Sequence, residues 1–132
     1  MSLAAIQTKA KAKPSIVIIY GPSGLGKTTL AVGSKNPIVL QTEEGLGILT
    51  NNRDIPHFPL AKDYDTFYDY LKSLVDAKEL EFNSLVVDSL DWLEPLIFAK
   101  TCETHKQASI ESFGYGRGYV EALKYWREIL DL

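Results

Sequence analysis

Eight consecutive residues near the start of the chain carry the clearest chemical signal: Gly21-Pro22-Ser23-Gly24-Leu25-Gly26-Lys27-Thr28. They match the phosphate-binding pattern G-x-x-x-x-G-K-[ST] at every fixed position. The glycines allow a tight backbone turn whose successive N–H groups face a phosphate. In such a loop Lys27 reaches the β- and γ-phosphates of a nucleotide, and the Thr28 hydroxyl binds Mg²⁺. The alternative is a glycine-rich turn that holds no ligand.

The segments on either side predict the strand–loop–helix setting that this chemistry requires. Ile16-Val17-Ile18-Ile19-Tyr20 is an apolar, β-branched run, which we interpret as the strand that leads into the loop. Thr29-Leu30-Ala31-Val32 is interpreted as the first turns of a helix. The N-terminus of that helix would add partial positive charge beside the phosphate. The predicted nucleotide-binding segment therefore extends from Gly21 to Thr29.

A second apolar run, Leu85-Val86-Val87, ends in Asp88, which is the Walker B form. A carboxylate at the carboxyl end of a buried strand can hold Mg²⁺ through a water molecule, opposite Thr28. The alternative role for Asp88 is to cap a helix that begins near Ser89-Leu90. Because a complete phosphate loop precedes it, we favour the metal role.

Two further acids, Glu43 and Glu44, follow the short strand predicted at Ile38-Val39-Leu40. A carboxylate at the end of that strand could act as a general base and orient the water that attacks the γ-phosphate. On spacing alone, the better interpretation is that both residues are solvated acids in a loop.

Length and composition indicate one globular domain, residues 15–132, behind a flexible basic tail, residues 1–14. The chain has 132 residues, of which 45% are hydrophobic and 23% are charged. The net charge of −3 gives no global attraction to nucleic acid, so any such contact is local. Cys102 is the only cysteine, and no apolar run is long enough to span a bilayer. We therefore expect a reducing, cytoplasmic setting.

Strand and helix signals alternate along the rest of the chain, which predicts a parallel α/β sheet flanked by helices. His57-Phe58 is a weak third strand between two prolines. Asp63 or Asp65 caps a helix whose buried face contains Tyr64, Phe67, Leu71, Leu74 and Val75. The helix after Asp88 is expected to break or restart at Pro95. The last helix has an apolar face of Tyr119, Leu123, Trp126 and Leu130, and Trp92 and Trp126 are expected in the core.

The order of these motifs resembles the core of RecA-type recombinase ATPases. It is most similar to the small phage-encoded RecA-like ATPases that accompany single-strand recombination. The resemblance rests on Gly21–Thr28, Val39-Leu40-Gln41-Thr42-Glu43 and Leu85-Val86-Val87-Asp88-Ser89, and it covers residues 16–132. It implies a P-loop NTPase fold that binds ATP and Mg²⁺ at the carboxyl edge of the sheet. It also implies that Glu43 is the catalytic acid, with Glu44 as a rival.

The sequence departs from that family in two places. The region that holds adenine with an acid and an aromatic residue in the family reads Gly45-Leu46-Gly47-Ile48-Leu49-Thr50 here. A strand with a polar γ-phosphate sensor, which lies between the phosphate-loop and Walker B strands in the family, is not found before Leu132. We therefore expect an incomplete sheet, from the N-terminal part of a longer protein or a shortened relative. The unpaired strand edges then predict either self-association or pairing with another segment. The missing sensor predicts slow hydrolysis.

Residues 109–119 correspond to a DNA-facing loop in the resemblance. Phe113, Tyr115 and Tyr119 could stack on bases, and Arg117 could meet a phosphate. The alternative is a flexible loop whose aromatic side chains pack on the protein. We favour this alternative because a single arginine supplies little positive charge for binding DNA. We list Tyr115 and Arg117 as the candidate DNA contacts.

The motifs predict ATP binding and hydrolysis, and the resemblance implies that these are coupled to single-stranded DNA, with a recombination partner protein and association into a homo-oligomer. One alternative is a small-molecule or nucleotide kinase, although Arg53, Arg117 and Arg127 are not clustered as a kinase lid would require. Another is a nucleotide-binding partner module that does not hydrolyse ATP. Cys102 and His105 form half of a zinc site without a second half, so we expect a helix surface or a packed thiol there rather than a metal site.

Overall fold

A computed structural model describes residues 3–47 and 54–132 of the chain. The helices and strands within these ranges are α1 (Lys27–Ala31), β1 (Pro37–Gln41), α2 (Tyr64–Val75), β2 (Ser84–Asp88), α3 (Leu90–His105) and α4 (Arg117–Leu130). Short 3-10 turns occupy Leu3–Ala5 and Glu111–Phe113. The sequence features noted at Ile48, Leu49, Thr50 and Arg53 lie outside the described residues.

The sheet consists of β1 and β2, which pair in parallel with Pro37 opposite Ser84 and Gln41 opposite Asp88. The predicted α/β class with a parallel sheet is confirmed. On its other side β1 meets His57 through a single parallel bridge at Val39. The weak strand predicted at His57-Phe58 is reduced to this bridge because the flanking prolines have no N–H to donate.

Two apolar clusters cover opposite faces of the sheet, because neighbouring strand residues point to opposite sides. On one face Leu40 meets the buried side chains of three helices: Tyr64, Phe67, Leu71, Leu93, Ile97 and Ala122. On the other face Val39 and Val86 pack with Val32, Leu46 and Ile55. Val32 directly follows α1. The short helix after the phosphate loop is therefore held against the sheet.

The start of α2 is fixed by Asp63, whose Oδ1 accepts a 2.7 Å hydrogen bond from the Thr66 N–H. This backbone hydrogen bond lowers the pKa of Asp63 because it favours the charged carboxylate. The sequence left Asp63 and Asp65 as alternatives, and the structure selects Asp63. Asp65 instead forms an ion pair with Lys100 of α3 at 2.9 Å.

The strand predicted at Ile16–Tyr20 is wrong for this structure. The segment has no regular secondary structure, and its side chains are exposed, from 40% at Ile19 to 89% at Tyr20. Its β-branched composition favours an extended backbone. A strand is stable only beside a hydrogen-bonding neighbour, and no segment within the described ranges pairs with this one.

The break predicted at Pro95 is also wrong, because α3 runs through this proline. Pro95 removes only the hydrogen bond to the Asp91 carbonyl one turn earlier, and Asp91 is exposed, so water can serve that carbonyl. Trp92 was expected in the core but is 56% exposed. The buried face of α3 is formed instead by Leu93, Ile97 and Thr101.

The last predicted helix exists as α4, but it turns a different face to the core. Tyr119 and Leu123 are close to half exposed, and Leu130 is 69% exposed. The contacting residues lie one position earlier: Gly118, Ala122, Tyr125 and Ile129, with Trp126 beside them. The apolar pattern predicts the helix correctly. It misplaces the contact face because Gly118 and Ala122 have small side chains, which allow the helix to pack closely against the core at these positions.

Candidate functional site

The candidate phosphate loop joins the exposed Ile16–Tyr20 segment to α1. Gly24 has a φ of 82°, and Gly26, which precedes the first residue of α1, has a φ of 89°. These left-handed conformations favour glycine. They explain why glycine is present at Gly26, which the pattern fixes, and at Gly24, which the pattern leaves variable. The loop residues are exposed, whereas Lys27 and Thr28 are half-buried at its end.

Lys27 folds back over the loop that precedes it. Its Nζ donates hydrogen bonds of 2.6 Å to the Gly21 carbonyl and 2.8 Å to the Pro22 carbonyl. Both acceptors are neutral and lie in an exposed loop, so an anion could compete for the ammonium group. The Lys27 ammonium group therefore lies against the loop where the sequence predicts a phosphate contact.

Thr28 lies beside Asp88 although 60 residues of sequence separate them. The Thr28 Oγ1 donates a 2.7 Å hydrogen bond to the Asp88 Oδ2. Asp88 is the last residue of β2, and Thr28 is the second residue of α1. The structure thus brings together the two side chains that the sequence singles out as magnesium ligands. Thr29, the next residue of the helix, is exposed.

The carboxyl ends of the two strands are tied together by Thr42, which the sequence analysis assigned no role. Its Oγ1 donates to the Ser89 carbonyl at 2.7 Å and accepts from the Ser89 N–H at 3.0 Å. Its own N–H donates to the Asp88 carbonyl at 2.8 Å. Thr42 is one of the buried polar residues. A polar residue directly after a buried strand is the sequence signal that could have identified its role. The hydroxyl of Ser89 is buried and has no hydrogen-bond partner among the residues that the structure describes.

The two candidate acids after β1 differ in their surroundings. Glu43 directly follows Thr42 and is half-buried, whereas Glu44 is exposed. The Thr42–Ser89 hydrogen bonds fix the backbone next to Glu43 and bring it to the same edge of the sheet as Asp88. Burial therefore distinguishes Glu43 from Glu44, where spacing alone could not.

Of the two candidate DNA contacts, one side chain is exposed to solvent and the other forms hydrogen bonds within its own loop. Tyr115 is fully exposed, with a positive φ of 53°. Arg117 donates to the Phe113 carbonyl at 2.6 Å and to the Gly114 carbonyl at 3.4 Å. The guanidinium group thus holds the turn that precedes α4. Tyr119 donates from its hydroxyl to Glu111 at 2.9 Å, which ties α4 to the same loop.

Cys102 and His105 lie in the last turns of α3, away from the phosphate loop. Cys102 is half-buried. The His105 Nε2 lies 3.4 Å from the Glu121 carboxylate, and its ring contacts Phe113 edge to face. Across residues 3–47 and 54–132, no three metal-binding side chains come together. Within the same ranges, no helix is both long and apolar enough to cross a bilayer.

Comparison with known proteins places these features in a family. Residues 13–132 match the family model described as an AAA domain. The chain is also 26% identical over 119 residues to the SPbeta prophage-derived uncharacterized protein YorG of Bacillus subtilis (strain 168). That alignment covers 89% of this chain and 36% of the relative, so the chain spans about a third of the relative's length. No solved structure gives a significant match.

The family match includes the phosphate loop and the carboxyl ends of both strands, where the candidate site residues lie. It rests on nearly the whole chain rather than on the loop pattern alone. The chain therefore belongs to the AAA domain family, in the class of P-loop NTPases.

Proposed function

We propose that this protein binds ATP with Mg²⁺ at the Gly21–Thr28 loop and hydrolyses the γ-phosphate. The observation that carries the proposal is the 2.7 Å hydrogen bond between Thr28 and Asp88. It joins the end of the loop to the end of β2, as a shared magnesium site requires. Membership of the AAA domain family supports nucleotide binding in general.

The side chains at this point suit the chemistry of a magnesium ion. Mg²⁺ prefers oxygen ligands and retains several waters, so a hydroxyl and a carboxylate are adequate protein donors. Thr28 would bind the ion directly, and Asp88 would hold it through water. The bound ion would neutralise charge that develops on the phosphate oxygens.

Lys27 and the loop amides would stabilise the negative charge of the phosphates. To do so, Lys27 exchanges its two neutral carbonyl partners, Gly21 and Pro22, for charged phosphate oxygens. Such charge-assisted hydrogen bonds are about twice as strong as neutral ones. The exchange is therefore favourable, and it couples nucleotide binding to the shape of the loop.

Glu43 would orient the attacking water and accept its proton. Its half-buried position supports this role, as do the Thr42 hydrogen bonds that fix the adjacent backbone. Positioned general bases accelerate such steps by about 10²–10⁴-fold. Glu44 is the competing candidate, and its exposure makes it the weaker one.

The finer assignment is a RecA-like ATPase that acts with single-stranded DNA in phage-type recombination. The motifs at Gly21–Thr28, Glu43 and Asp88 support it, together with the exposed Tyr115 as a stacking surface. The relative named as prophage-derived supports a phage setting. Arg117 supports the DNA contact less, because part of its guanidinium is already engaged by the loop.

The test is phosphate release from ATP by the purified chain, with and without single-stranded DNA, in the presence of Mg²⁺. The proposal predicts release that depends on Mg²⁺ and rises when the DNA is added. Phosphate transfer to a nucleoside or metabolite panel would favour the kinase instead. ATP binding without release or transfer would favour a non-hydrolysing module. An increase in release with double-stranded DNA alone would contradict the single-strand assignment.

A further inference from the structure

Positive and negative charges are distributed unevenly along the chain. Residues 1–42 contain five lysines and no acidic residue, whereas residues 43–132 contain all 17 acidic residues and the other nine basic ones. The first part therefore carries a charge of +5 and the second a charge of −8, which together give the net −3 of the chain. An asymmetry of this kind indicates a basic segment that binds an acidic partner.

Three of the five lysines lie in the basic tail, at Lys9, Lys11 and Lys13. All three are exposed, and none forms an ion pair or a side-chain hydrogen bond with another residue in the described ranges. In the acidic part, by contrast, Lys72 and Lys100 each pair with a carboxylate. The family match begins at residue 13, so most of the tail lies outside the matched domain. The tail ammonium groups are therefore available to a ligand.

We propose that Lys9, Lys11 and Lys13 form a binding site for the backbone of single-stranded DNA. The inference rests on the proposed function for the identity of the nucleic acid, and it does not require nucleotide binding at Gly21–Thr28. Lysines that contact phosphates release counterions, and this supplies most of the sequence-independent affinity of a protein for nucleic acid. Because part of the Arg117 guanidinium is engaged by its own loop, the tail offers the more accessible positive charge.

The alternation of lysine and alanine in the tail matches an extended strand of DNA. In an extended backbone, alternate side chains lie on the same side about 6.6 Å apart, which sets the three ammonium groups in a row. Residues 10–20 form no helix or strand, and Lys13 is biased towards the extended conformation because Pro14 follows it. Successive phosphates of an extended single strand recur at a similar interval, whereas those of a duplex curve away around its axis. The spacing therefore favours a single strand.

An anionic membrane surface is another polyanion that a basic segment can meet. Segments that bind membranes place large apolar side chains opposite their basic face. Here the residues between the lysines are Ala10 and Ala12, and the large apolar residues Leu3 and Ile6 precede the lysines instead of alternating with them. The composition of the tail therefore favours nucleic acid over a membrane.

The first test measures DNA binding by the 132-residue chain, without ATP, from the fluorescence anisotropy of a labelled oligothymidine strand. Two matched variants each replace three exposed lysines by glutamine. The tail variant changes Lys9, Lys11 and Lys13, and the control variant changes Lys62, Lys78 and Lys106. Both variants remove three positive charges, so they differ in the position of the lost charge and not in its amount.

The dependence of binding on salt gives the expected result. Each phosphate contact on a single strand contributes about 0.7 to the slope of log affinity against log salt, so three contacts contribute about 2. Between 50 and 200 mM salt, the wild type and the control variant should therefore lose about 20-fold more affinity than the tail variant. A tail variant with the salt dependence of the wild type overturns the proposal, as does an equal change in both variants.

The second test separates the possible partners and keeps this inference distinct from the proposed function. The wild type and the tail variant are titrated with a duplex of the same length and with vesicles of pure phosphatidylserine. Tail-dependent binding that is tighter to the duplex or to the vesicles overturns the single-strand assignment. A protein that binds the single strand through its tail but does not bind ATP supports this inference and contradicts the proposed function. A protein that hydrolyses ATP but binds the strand equally well without the tail lysines does the reverse.

Discussion

The Thr28 hydroxyl donates a 2.7 Å hydrogen bond to the Asp88 carboxylate, joining the end of the phosphate loop to the end of β2. The contact is half-buried and spans 60 residues of sequence. It depends on two separate packing features, the Val32 contact that holds α1 on the sheet and the pairing of β2 with β1. The candidate site is therefore assembled by the fold and not by the loop alone.

Replacing Thr28 by Val should weaken ATP binding in the presence of Mg²⁺ and leave the magnesium-free affinity nearly unchanged. Valine keeps the side-chain shape but removes the hydroxyl that we assign to the ion. A hydrogen bond to a charged partner is worth about 1.5–3 kcal/mol, which corresponds to roughly 10- to 100-fold in affinity. Titrations with and without Mg²⁺ measure the difference. Thr28→Ser, which retains the hydroxyl, is the control, and an equal loss in both variants would contradict the assignment.

Glu43→Gln should keep ATP affinity within a few-fold and remove most hydrolysis. The amide is nearly the same size as the carboxylate but cannot accept a proton, and a general base contributes about 10²–10⁴-fold. Steady-state phosphate release measures the effect, in the longest form of the protein that hydrolyses ATP. Glu44→Gln is the matched control and should retain activity. If the Glu44 variant loses activity while the Glu43 variant keeps it, the catalytic acid is the exposed neighbour.

Thr42→Val should destabilise the fold by about 1–3 kcal/mol, because it leaves the Ser89 N–H and carbonyl without their buried partner. Urea unfolding at neutral pH measures this loss. Thr42→Ser keeps the hydroxyl and should lose much less than the Val variant. Equal stabilities for the wild type and the Val variant would show that the two strand ends are held by other contacts.

The Tyr64 phenol should make stability fall at alkaline pH. Burial raises its pKa above the ordinary value, and its 2.7 Å hydrogen bond to Glu128 raises it further. The unfolded phenol titrates near pH ~10, so the contribution of the native group is complete below that pH and is lost as pH rises above it. Tyr64→Phe should therefore be less stable than wild type at pH 8, and the deficit should shrink at pH 11. Urea unfolding at both pH values measures the difference in stability between Tyr64→Phe and the wild type. An equal difference at pH 8 and pH 11 would contradict this interpretation.

Local patterns predicted much of the architecture. The strands at Ile38–Leu40 and Leu85–Val87 and the helix that begins at Tyr64 lie where their apolar spacing indicated. These elements bury residues against several neighbours within the chain, so their local preference and their packing agree. The Asp63 cap was one of two alternatives because both acids lie at the start of the same helical pattern.

The incorrect predictions concern segments whose structure depends on a neighbouring segment or on the shape of their side chains. Ile16–Tyr20 has the composition of a strand, but its sequence cannot supply a neighbouring strand. The face of α4 was misplaced because hydropathy gives no weight to the close contact that Gly118 and Ala122 allow. Thr42 was missed because its role lies in hydrogen bonds to Ser89, which is 47 residues away in sequence.

Calorimetric titration of the chain with ATP and Mg²⁺, beside Lys27→Ala, tests the central claim most directly. The Lys27 ammonium group donates to two exposed loop carbonyls in the described part of the chain, so its removal should leave the fold intact. We predict saturable binding by the wild type and a loss of about 10- to 100-fold in Lys27→Ala, the value of a charge-assisted phosphate contact. Lys35→Ala, on the exposed surface after α1, should bind as the wild type does. Unchanged affinity in a folded Lys27→Ala protein would contradict the assignment of Gly21–Thr28 as the phosphate-binding loop.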